Sequence, residues 1–169
     1  MKQLYKQCRS WLLAGAIFIS RLGFLPSNFS PLGSFGFFGH PYLYFLSILA
    51  FDALSGGFYG NVLWTYLGFA AYPVLGKLAK NDPKKQALLL PLASFLFFLI
   101  SNFGVWLSWY QQSWSGLLLC YSLALPFYAK TLLGDLVFGY GYLVLQQFLK
   151  NRRQAKIVLN NESLAVESR

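Results

Sequence analysis

Charge is what this sequence has least of. Only 11% of its 169 residues are Asp, Glu, Lys or Arg, and just five of them are acidic. A soluble domain carries about 25% charged residues. With 56% hydrophobic and 20% aromatic residues, there is too little polar surface to cover the core in water, so the implied solvent is lipid. Histidine occurs once and cysteine twice, which is too few for a metal centre. Cys8 lies in a basic flank and Cys120 in an apolar run, so no disulfide framework follows and both read as free thiols. A juxtamembrane Cys8 is either lipidated or silent. Glycine-rich phosphate loops, paired catalytic carboxylates and a serine framed by a histidine are missing too. No enzyme, ATPase or cofactor is therefore expected of the chain itself.

The charge that is present is confined. Twelve of the 14 basic residues are Lys2, Lys6, Arg9, Lys77, Lys80, Lys84, Lys85, Lys150, Arg152, Arg153, Lys156 and Arg169. These flank the apolar blocks, as cytoplasmic flanks do under the positive-inside rule. The net charge of +9 therefore points to a bilayer, and without a recognisable module nucleic acid is not an expected partner. The opening has the outline of a signal peptide, but Ala14-Gly15-Ala16 comes early and Arg21 interrupts its end. An uncleaved first span is expected.

The apolar blocks cover residues 11–25, 32–39, 42–59, 62–76, 87–109 and 116–149. A crossing helix needs about 20 residues. Block 32–39 is too short unless protein shields it, and a break is expected near Tyr128-Ala129-Lys130. If all three basic clusters are cytoplasmic, each interval between them holds an even number of crossings. The pattern predicts an all-α polytopic membrane bundle of about six transmembrane helices, some short or broken. It has a basic N-terminus (1–10), one membrane domain (11–149), a flexible basic tail (150–169), and both termini cytoplasmic. His40-Pro41 reads as a turn, and Gly56-Gly57 as another. The tryptophans near span ends read as an interfacial belt. Small residues Ser10, Ala14, Ala16 and Ser20 offer a loose docking face on the first helix.

Several polar groups sit where lipid disfavours them. Arg, Lys or Asp at mid-bilayer costs about 2.5–3.5 kcal/mol on insertion scales, so such residues face the bundle interior and pair. Arg21 either snorkels or clamps an anion or carbonyl. Asp52 and Asp135 each read as a partner for Arg21 or Lys130, or as a ligand contact. Asn102 and Trp106, four apart on one helical face, read as pocket lining or as helix packing.

The runs Arg21-Leu22, Asn28-Phe29-Ser30-Pro31-Leu32-Gly33, Asn102-Phe103-Gly104-Val105-Trp106, Leu125-Pro126-Phe127 and Leu133-Gly134-Asp135-Leu136 resemble an uncharacterised family of bacterial membrane proteins. That family is similar to the substrate-binding S components of energy-coupling factor (ECF) vitamin transporters. The resemblance implies an ECF S-component-like fold in the bacterial inner membrane. It also implies a ligand site near the extracellular side, covered by the loop after the first helix. A membrane coupling subunit and ATPase subunits would be partners. It places substrate contacts on Asn28, Phe29, Ser30, Arg21, Asn102, Trp106 and Asp135. His40 stands where the family often has a second glycine. The alternative is a structural or assembly protein of the cell envelope with no ligand.

Overall fold

Proline and glycine mark several of the helix ends, and three prolines lie within helices. The computed structural model describes residues 15, 17–19, 25–58, 60–80 and 82–167, and those residues contain helices and no strand. Residues 15 and 17–19 are helical. Five helices follow: α1 (Leu32–Phe38), α2 (Pro41–Ser55), α3 (Val62–Leu78), α4 (Pro83–Trp109) and α5 (Trp114–Glu167). Pro41 and Pro83 occupy the first turn of α2 and α4, where a missing N–H costs nothing. Asp82 caps α4, accepting from the backbone N–H of Lys84 at 3.0 Å and of Lys85 at 3.2 Å. Helix α2 ends at Gly56, whose φ of 69° lies in the left-handed region that glycine adopts without a Cβ clash.

The organising element is the smallest. Helix α1 has seven residues, so it is about 10 Å long against a hydrocarbon core of about 30 Å. Leu32 through Phe37 are all buried, and α1 packs against α3, α4 and α5. Such a helix is too short to hold by propensity. Its surroundings hold it: Tyr44, Tyr72, Leu90 and Ala93 form a fully buried core with Phe35 and Phe37. The sequence expectation that residues 32–39 must be shielded by protein agrees with this burial.

Around α1 the longer helices join through aromatic pairs. Phe69 of α3 stacks on Phe97 of α4 at 4.7 Å, and Phe98 of α4 stacks on Tyr128 of α5 at 4.6 Å. Helix α4 carries Pro91 in its interior. Pro91 has no N–H for the carbonyl of Ala87 four residues back. That carbonyl accepts instead from the Tyr140 hydroxyl of α5 at 2.9 Å. A side chain from a neighbouring helix thus satisfies the group that proline leaves free, as a bilayer requires.

Two expectations differ from the structure. No break occurs at residues 128–130; α5 is one continuous helix of 54 residues with Pro126 inside it. The Thr131 hydroxyl donates to the Phe127 carbonyl at 3.1 Å, and α4 supports this stretch through Tyr121 and Tyr128. The helix also continues beyond residue 149 to Glu167. Its basic, glutamine-containing sequence favours helix, and Gln147 donates to Asn151 at 3.3 Å.

Two helical stretches, Pro83–Trp109 and Trp114–Ala155, are long and apolar enough to cross a membrane. Helices α2 and α3, at 15 and 17 residues, fall short of the usual length of about 20.

Candidate functional site

The chain before α1 makes a roof. Pro26 to Phe29 form a turn closed by the Phe29 N–H to the Pro26 carbonyl at 3.0 Å. Asn28 sits at its third position with φ 66°, a conformation asparagine tolerates. The Ser30 hydroxyl accepts from the Leu32 N–H at 3.4 Å. Phe29 packs on Phe138 of α5 with ring centroids 5.6 Å apart, which pins the roof to the bundle.

Beneath the roof lies Asp135, 1% exposed. A carboxylate this deep must have its oxygens met by donors. The donors are hydroxyls. Tyr72 of α3 donates to Oδ2 at 2.6 Å, and Ser94 of α4 donates to the same oxygen at 2.5 Å. The Ser34 hydroxyl of α1 donates to the Asp135 backbone carbonyl at 3.1 Å. One aspartate therefore ties α1, α3 and α4 to α5. Oδ1 faces Gly33 so closely that a Cβ there would overlap both the carboxylate and the Tyr72 ring. The carboxylate thus lies against the first turn of α1, where backbone N–H groups favour negative charge.

Roof and floor enclose a cavity of about 200 Å³. Asn28 and Ser30 line it from above, Gly33, Tyr72 and Asp135 from below, and Phe97 from the side. A second cavity of about 250 Å³ adjoins it, and the two share Asn28, Phe97 and Thr131. Asn102 lines this second cavity. One of its amide N–H groups is taken by the Phe98 carbonyl at 2.8 Å.

The residues singled out from sequence therefore divide. Asn28, Phe29, Ser30 and Asp135 come together at the first cavity, and Asn28 and Asn102 at the second. Trp106 lines neither; its indole N–H donates to the Gln111 carbonyl at 3.1 Å and closes the end of α4. Asp52 accepts from the Tyr66 hydroxyl at 3.0 Å. Lys130 is exposed on α5, and Lys85 lies 3.9 Å from Asp82. Arg21 and the small-residue face at Ser10, Ala14, Ala16 and Ser20 lie outside the described residues. Sequence reasoning missed Tyr72, Ser94 and Asn61. Hydroxyls and an amide inside or beside apolar runs were the available signal, because each needs a partner in lipid.

Fold and site define a helical protein with two helices able to cross a bilayer and a buried carboxylate under a folded loop. The chain belongs to DUF6580, a family of unknown function whose model matches residues 2–157. No curated protein and no solved structure matches it.

Proposed function

We propose that this protein is a multi-pass protein of the bacterial inner membrane that captures a small, vitamin-like molecule for uptake. Both termini are cytoplasmic in this reading. The fold is of the S-component kind, and a membrane coupling subunit with ATPase subunits supplies the energy. The observation that carries the reading is the roof at residues 25–30, folded over a cavity whose floor is the buried Asp135. The surrounding surface fits lipid: Leu123, Phe127, Leu133, Val137 and Val144 of α5 are each more than half exposed. An apolar face of that extent marks a membrane or partner surface.

Thr131 lines both cavities and makes none of the Asp135 hydrogen bonds, so Thr131→Phe takes space from both. Purified wild-type protein should melt at higher temperature with one member of a vitamin and precursor panel, and Thr131→Phe should show no such shift. Absence of any shift across the panel, with envelope-synthesis proteins and no ATPase recovered by in-cell crosslinking, would move the assignment to the envelope scaffold.

A further inference from the structure

The second cavity carries chemistry of its own. Asn61 caps the start of α3 through its backbone, and its side chain caps nothing. It is 1% exposed, and Oδ1 has no hydrogen-bond partner among the described residues. A buried amide oxygen left unmet is destabilising. Asn61 lines the 250 Å³ cavity, so the missing donor can come from an occupant.

The aliphatic hydroxyls of the lining sharpen the class. Ser101 donates its hydroxyl proton to the Phe97 carbonyl at 2.6 Å, and Thr131 to the Phe127 carbonyl at 3.1 Å. Thr65 points its hydroxyl at the Asn61 carbonyl at 3.5 Å. A hydroxyl has one proton, so these groups offer the cavity lone pairs only. No charged side chain lines this cavity. Its walls include Phe97, Phe98 and Tyr128, with Phe98 and Tyr128 already stacked. An apolar cavity of about 150 Å³ takes up benzene, so this one has room for one ring or two fused rings.

We infer that the second cavity binds an uncharged, flat ring compound presenting N–H or O–H groups to Asn61, Ser101 and Thr131. A carboxylate or phosphate would enter without a countercharge, since no charged side chain lines the wall, and a buried unpaired charge is costly. This inference rests on the small-molecule reading above and names the ligand class for it.

A matched set of probes tests the inference on the full chain in nanodiscs. 3-Aminophenol is a flat neutral ring with three donor hydrogens. 3-Methoxy-N,N-dimethylaniline keeps the ring without donors, and 3-aminobenzoate adds a negative charge. Binding is read by ligand-detected NMR and melting temperature in wild type, Asn61→Leu and Ser101→Ala. 3-Aminophenol should bind wild type, and the other two should not. Asn61→Leu removes an unmet oxygen, so the unliganded protein should melt higher while 3-aminophenol binding falls about tenfold or more. Ser101→Ala should keep the wild-type melting temperature and weaken binding. Equal binding of the methylated or anionic probe, or binding that survives Asn61→Leu, overturns the inference. So does binding of no probe, which would leave the cavity to water. The small-molecule reading is tested separately by the vitamin panel and Thr131→Phe, so the two can fail independently.

Discussion

Asp135 carries the most consequence of any residue. Two hydroxyls from two helices converge on one of its oxygens. Asp135→Ala takes the acceptor from Tyr72, leaves Ser94 only the Leu90 carbonyl at 3.4 Å and opens space against Gly33, so it should lower unfolding stability by about 3 kcal/mol. Asp135→Asn keeps a carbonyl oxygen and should lose less than half as much. Chemical denaturation in mild detergent measures both, and equal losses would contradict the hydrogen-bond account. Gly33→Ala forces a methyl into the carboxylate and the Tyr72 ring, with an expected loss of about 2 kcal/mol in the same assay. Sequence reasoning flagged Asp135 because a charge in an apolar run must be paired. It looked for a cation because charge is visible in sequence. Tyr72 and Ser94 lie 63 and 41 residues away, and a hydroxyl in a tyrosine-rich, serine-rich chain gives no sign of which carboxylate it serves.

At the scale of elements, α4 and α5 are joined by a repair. Pro91 frees the Ala87 carbonyl, and Tyr140 takes it up. Tyr140→Phe should cost about 0.6 kcal/mol, the usual worth of an interhelical hydrogen bond in a bilayer. Tyr140→Phe combined with Pro91→Ala should cost nothing further, since alanine restores the backbone donor. A double-mutant cycle on unfolding free energy reads the coupling. Short α1 was legible because the eight residues between Pro31 and His40 cannot span a membrane. The course of α5 was not. Its lysine and tyrosine near residue 130 resemble a span end, yet contacts with α4 through Tyr121 and Tyr128 carry the helix on. The amphipathic signal that ordinarily locates a buried face is also weak here, because lipid-facing and core-facing positions are both apolar.

For the whole molecule, the account places Lys84 and Gln112 on opposite sides of the bilayer with α4 between them. Single cysteines at these positions, in a background with Cys8 and Cys120 replaced by serine, should label from opposite faces: Lys84→Cys from the cytoplasm and Gln112→Cys from outside. Labelling of both from one side would remove α4 as a crossing. The class of molecule was legible from composition alone, since so few charges cannot solvate so much apolar surface. The roof over Asp135 was legible only as a loop after the first helix. What it covers depends on α3, α4 and α5 meeting beneath it, and no local pattern records that meeting.

The central claim is that this roof encloses a small molecule. Native mass spectrometry of protein purified gently from its own membrane tests it most directly, comparing wild type with Thr131→Phe. The account predicts a discrete added mass on a fraction of wild-type molecules, released by collisional activation and missing from Thr131→Phe. Bare protein in both samples, or the same added mass on both, would contradict it.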